Sequence, residues 1–302
     1  MEKRTDLALE VRESFPRDHV EVEGVVLEKN WNKEKNILTT FVNIKDERGS
    51  QAMKKPKGLY ITVESELLEE IEEETEQICH KIKECIEMLC PELHKKKVLV
   101  AGLGNEEVTS DSIGPKIIKS LFVTRHIGEE FGNEFMEENE LGTVSAIAPG
   151  VMAQTGMEAA EIIEGIIKKT KPDVLIVFDA LAARSLTRLC RTVQLTNTGI
   201  TPGSGVGNHR KELSSQSLGI PVVAVGVPTV VDAGTIISDH LEHVLSKQGY
   251  SENETQCFLT EVLDESQMDH VFVTPKNIDE AVFHISRILS EVVNLLMHGG
   301  AK

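Results

Sequence analysis

Two uninterrupted apolar runs, Val98-Leu-Val-Ala101 and Val174-Leu-Ile-Val-Phe178, constrain the fold of this chain most. A strand with one face in water alternates apolar and polar residues, whereas a run that is apolar throughout must be covered on both faces. Further strand patterns fall at residues 144–148, 192–195 and 222–227. Helical spacing separates them at 114–122, 156–168, 235–246 and 278–297. Strand and helix in alternation predict right-handed crossovers and an α/β fold: three αβα layers around a mostly parallel central sheet. Only 4% of residues are aromatic against 40% hydrophobic, and Trp31 is the single tryptophan. Such a core is built from Val, Ile, Leu and Ala, which suits helix-covered strands. A length of 302 residues accommodates one large core with an appendage.

Each apolar run is followed by an aspartate. The first leads through Gly102-Leu-Gly-Asn105 to Val108-Thr-Ser-Asp111-Ser-Ile-Gly-Pro115, and the second ends directly on Asp179-Ala-Leu-Ala-Ala-Arg184. Reactive groups of open α/β sheets gather beyond the carboxyl ends of the strands, so Asp111 and Asp179 are placed to share one site. Two readings stand for each. Asp111 can cap a helix by accepting first-turn amides, and Asp179 can be a strand-end turn residue leading into a helical turn at 181–184. Together in a cleft, the two carboxyls are acid–base equipment.

The first 95 residues read differently. Residues 20–27 and 37–44 alternate like half-exposed antiparallel strands, 58–63 adds a third, and a helix with an acidic solvated face is predicted from 64 to 89, ending before Pro91. These elements are expected to form a small β element and long helix packed on a core domain spanning 96–302. The segment 129–141, acidic and poor in apolar residues, reads as an exposed insertion.

A net charge of −17 repels phosphate backbones and anionic lipid, which argues against direct nucleic-acid or membrane partners. No signal-peptide core and no run of about 18 apolar residues is present. Five cysteines, without a paired or finger-like spacing, point to reduced thiols in a cytoplasmic setting. Cys190, between two arginines, reads as a structural thiol. His240 and His243 share a helix face but lack a third metal ligand. Gly102-Leu-Gly104 lacks the third glycine of a dinucleotide fingerprint, and Gly203-Ser-Gly205-Val-Gly207 lacks the ending of a P-loop, so no cofactor is predicted. The second glycine cluster reads as a tightly turned active-site loop.

Taken together, Gly102-Leu-Gly-Asn105, 108–115, Asp179-Ala-Leu-Ala-Ala-Arg184, Thr196-Asn-Thr-Gly-Ile-Thr-Pro-Gly-Ser-Gly-Val-Gly-Asn208 and Gly226-Val-Pro-Thr-Val-Val-Asp-Ala233 resemble the germination (spore) protease family of endospore-forming bacteria. The resemblance runs nearly end to end. Residues 102–114 also look like the hydrogenase maturation endopeptidases, which leaves a metal-dependent maturation peptidase as a rival reading and an inactive adaptor as another.

The first resemblance implies a cytoplasmic endopeptidase of the spore core that degrades small acid-soluble spore proteins at germination. It implies a homotetramer, made as a zymogen that removes its own propeptide. The family cuts after an acidic residue and before a bulky apolar residue, Ala, any residue and Glu. Asp6-Leu7-Ala8-Leu9-Glu10 fits that pattern, which makes residues 1–6 the propeptide and implies an unprocessed, inactive chain. Asp111 and Asp179 match the family's essential acidic pair. One ionised and one protonated carboxyl would activate water and polarise the scissile carbonyl, with the assignment between them open. Substrate-binding candidates are Asn105, Gly203, Ser204, Gly205, His209 and Arg210. Arg184, Arg188 and Lys211 join the last two as a possible patch for acidic substrate residues.

Overall fold

The computed structural model describes residues 5–15, 22–68, 75–203, 210–251, 254–255, 257–259 and 271–299. One sheet of nine strands organises these residues. Its strands are β1 (Val25–Asn32), β2 (Ile37–Ile44), β3 (Gly58–Glu64), β4 (Lys97–Gly102), β5 (Thr143–Ile147), β6 (Val174–Ala183), β7 (Thr192–Thr196), β8 (Val222–Asp232) and β9 (Phe272–Val273). They lie in the order β1-β2-β3-β7-β8-β6-β4-β5, with β9 added to β8. Parallel pairing joins β5, β4, β6 and β8, and every other pair is antiparallel.

The sheet is therefore mixed rather than mostly parallel. The N-terminal strands are not packed on the core as a separate element: β3 pairs with β7 from Tyr60↔Thr196 to Glu64↔Thr192 and extends the central sheet. Strand β1 begins at Val25, after the turn at Gly24, and runs on to Asn32 as an exposed edge. The helix expected from 64 is shorter. Glu64 closes β3, a 3₁₀ turn follows at Glu66–Leu68, and among the described residues the helix covers Thr75–Leu89.

Helices cover both faces, because alternate residues of the parallel strands are apolar in both directions. The even-numbered set, Val98, Val100, Ile176 and Phe178, packs with the helices Thr75–Leu89, Ile113–Ser120 and Ile278–Met297. The odd-numbered set, Leu99, Ala101, Leu175 and Val177, packs with Ala159–Thr170. Further along this second face, Ala8 of a short helix, Ala8–Glu13, meets Val42, Ile44, Met53 and Tyr60. In chain order we name the helices used below α1 (Ala8–Glu13), α2 (Glu47–Met53), α3 (Thr75–Leu89) and α4 (Ile113–Ser120). The segment around 129–141 is exposed, and its first part is helical (Arg125–Glu138) with a break at Gly132.

Two close approaches position the site. Strand β4 and the start of α4 touch backbone to backbone: a Cβ on Gly102 would lie 2.2 Å from the carbonyl oxygen of Gly114. At Gly104, φ is +113° and a Cβ would fall 1.9 Å from the carbonyl oxygen of Asp111. These contacts require glycine without any bound nucleotide.

Candidate active site

Strand β6 does not end at Asp179. It continues to Ala183, pairs Asp179 with Gly226 of β8, and shifts register between Leu181 and Ala182. Asp179 lies on the same face as Leu175 and Val177 and is buried, 5% exposed. Its Oδ1 accepts the Ala180 amide at 3.0 Å. Asp111 closes a 3₁₀ turn, Thr109–Asp111, ahead of α4. It does not cap that helix, for which Ser112 holds the capping position. Its Oδ2 is turned back to the loop after β4, where the Asn105 amide donates to it at 2.8 Å.

The two carboxyls line one cavity of about 240 Å³ together with Asp6, Gly203, Arg210 and Thr229. Burial raises the pKa of Asp179 well above the usual carboxylate range, and the charges of Asp111 and Asp6 push the same way. Burial also raises Asp111, but the Asn105 amide and the Arg210 guanidinium oppose it. The Ala180 amide and Arg210 oppose the rise at Asp179 too, so burial favours a proton on the pair, with the stronger upward push at Asp179.

The segment matching the family's cleavage pattern runs into this cavity. Asp6 is held against β6 by two hydrogen bonds to Ala182: its amide donates to the Ala182 carbonyl at 2.9 Å, and its Oδ2 accepts the Ala182 amide at 2.9 Å. The Asp6 carbonyl accepts from Lys55 Nζ at 3.0 Å and from Gln194 Nε2 at 3.2 Å. Leu7 is fully buried among Leu181, Ala183, Leu189 and Val231. The Ala8 amide donates to Gln194 Oε1 at 2.7 Å, so that one side chain brackets the Asp6–Leu7 bond. Glu10, 2% exposed, accepts from the backbone amides of Arg184 and Ser185 at 2.6 and 3.0 Å, and from Arg188 at 3.3 Å. A second cavity of about 920 Å³, bordered by Lys55, Tyr60, Gln194 and Thr196, meets the first at Asp6 and Leu181.

Of the binding candidates, Gly203 and Arg210 line the cavity with both aspartates. Asn105 serves Asp111 through its backbone, while its side chain accepts from Gln154 and from the Glu107 amide. Ser204, Gly205 and His209 lie outside the described residues. Arg184 is held bidentately by Asp239 and Lys211 by Glu161. Arg188 joins Glu10, Glu13 and Glu64. Cys190 is buried. Among the described residues no three His, Cys, Asp or Glu side chains form a metal-ligand set, and His240 Nδ1 pairs with the Ile236 carbonyl.

Lys55 and Gln194 went unread in the sequence. Lys54-Lys55-Pro56-Lys57 resembles any solvated turn. Gln194 did carry a signal, as an amide within the otherwise apolar and β-branched run 192–195.

A wide α/β sheet that brings two carboxyls to one cavity, with Asp6 of the chain's own N-terminal segment beside them, fits a peptidase. The germination protease family model matches residues 2–260. Germination proteases of Caldanaerobacter subterraneus subsp. tengcongensis and Clostridium perfringens strain 13 are 42% and 40% identical, over 98% and 97% of this chain and 94% of each relative. That of Bacillus cereus strain B4264 is 44% identical over 82% of this chain and 68% of its own length. The chain belongs to the germination protease family, whose members are endopeptidases.

Proposed function

We propose that the chain is made as a zymogen, cuts itself between Asp6 and Leu7, and then cleaves small acid-soluble spore proteins at sequences of the same pattern in the spore core. The docking of Asp6 to Glu10 carries this reading, since each position the pattern specifies meets a matching partner. The acidic carboxylate of Asp6 finds a backbone amide, Leu7 an apolar pocket, Ala8 a tightly packed wall, and Glu10 two amides and a guanidinium. Leu9 stands at the position where the pattern accepts any residue.

In this mechanism Asp111 is the base that takes a proton from water, and Asp179 is the acid. Assembly into a homotetramer belongs to the same reading and rests on the family resemblance.

Mass spectrometry of the purified chain over time, from acid to neutral pH, tests the proposal. The native chain is expected to lose residues 1–6. Asp111→Asn and Asp179→Asn are each expected to slow that loss by about 10²–10⁴-fold, the usual weight of a general acid or base. Native-rate processing in both variants would remove the aspartates from the mechanism.

A further inference from the structure

A carbonyl under attack becomes an oxyanion, and donors already aimed at it are among the largest contributions to hydrolysis. The carbonyl that would be attacked here, that of Asp6, accepts from Lys55 Nζ and Gln194 Nε2. We propose that Lys55 and Gln194 form the oxyanion-binding site of this protease, so that the aspartates are spared for moving protons. This assignment rests on the reading of Asp6–Leu7 as a scissile bond.

Both donors are held in place before any reaction. Lys55 follows α2, and its backbone is tied to Ser50 twice: its amide donates to the Ser50 carbonyl at 3.2 Å, and its carbonyl accepts from Ser50 Oγ at 2.7 Å. Gln194 sits in β7, 7% exposed, and its Oε1 is engaged by the Ala8 amide, which orients Nε2 toward Asp6. A cation and an amide so fixed need little rearrangement as charge develops.

The step balances with water as the only co-reactant. The water oxygen bonds to the Asp6 carbonyl carbon, and its proton passes to Asp111. The C=O electron pair moves onto oxygen, where Lys55 and Gln194 hold it. As the carbonyl reforms, the C–N bond breaks and the Leu7 nitrogen takes the proton of Asp179. The chemistry divides between the two sides of the peptide: proton carriers on one cavity, charge holders on the other.

Lys55 also has a titration signature. Burial lowers its pKa from the ordinary lysine range, and Asp6 opposes the shift. The other charged and titratable groups lining its cavity are Lys54, Glu10, Arg184, Glu212 and Tyr60. Burial pushes the Tyr60 phenol up to about 12, so it remains neutral as Lys55 titrates.

Steady-state cleavage of a synthetic peptide carrying the Asp-Leu-Ala-Leu-Glu sequence tests the proposal, with self-processing followed in parallel. Lys55→Met is expected to lower kcat about 10²–10³-fold with KM changed only a few-fold. Lys55→Arg is expected to retain activity and to move the alkaline limb of the pH profile upward, which loss of packing would not do. Gln194→Met, similar in volume, is expected to lower kcat and carries the test should Lys55→Met fail to fold. An unchanged kcat in folded Lys55→Met, or a loss confined to KM, overturns the oxyanion assignment while leaving the aspartates in place. A native chain that cuts neither itself nor the peptide overturns the scissile-bond reading itself.

Discussion

At the scale of the residue, Asp179 illustrates how a central strand tunes its own carboxyl. The side chain leaves β6 on a face that is otherwise apolar, so ionisation there forfeits hydration and also meets the charges of Asp111 and Asp6. The sign of the stability effect follows from linkage. Below the ordinary carboxylate pKa of about 4 both folded and unfolded chains keep this proton, and no penalty arises. Above that value the unfolded chain releases the proton while the folded chain retains it, so stability declines as pH rises through the elevated folded pKa. Asp179→Asn removes the ionisable group, and its thermal midpoint is expected to exceed that of the native chain at pH 8 and to approach it at pH 4. Differential scanning calorimetry across that range checks this. A gap that is constant with pH would place the effect in packing instead.

At the scale of the element, α1 is held to the second face of the sheet by two residues of its first turn, Ala8 and Glu10. Charge-assisted hydrogen bonds to a buried carboxylate contribute about 1.5–3 kcal/mol. Glu10→Gln is therefore expected to slow self-processing about ten- to a hundredfold while the catalytic groups stay intact, and mass spectrometry of the same time course reads it. A rate equal to native would show that docking of this helix does not limit the cut.

Elements also show what could be read from residues and what could not. The parallel strands β4 and β6 and the helix Ile278–Met297 follow from apolar runs and helical spacing, which record burial directly. The extension of β6 beyond Asp179 does not, since Ala180-Leu-Ala-Ala183 has helical propensity and is overridden by pairing with β8. The joining of β3 to β7 is equally silent, because backbone pairing between distant segments leaves little mark on side-chain pattern. Asp111 and Asp179 were legible as carboxyls downstream of apolar strands, although β6 runs on past Asp179 rather than ending there. Lys55 was not, because its role depends on where α2 delivers it.

At the scale of the whole molecule, the sheet divides the labour. Its parallel half supplies Asp179 and the approach to Asp111, and its antiparallel half supplies Gln194 from β7 and, through the α2–β3 connection, Lys55. Continuity across the β7–β8 boundary keeps the two halves in register. Among the described residues no helix is long and apolar enough to cross a membrane. Association into the proposed homotetramer is expected to give a light-scattering mass four times that of the 33.4 kDa chain. A mass equal to one chain at micromolar concentration would refute the assembly.

The fully buried Leu7, joined to Asp6 by an uncharged amide, has a consequence for irreversibility. Under the proposed cleavage, hydrolysis there creates an ammonium on Leu7, whose side chain is fully buried among apolar neighbours. Isolated charges are poorly tolerated in such surroundings. The bond that seats the segment thus becomes, once broken, a reason for it to leave. On this reading the cut acts as a ratchet: the apolar seat that holds Leu7 in the intact chain no longer suits the charged end that cleavage leaves there.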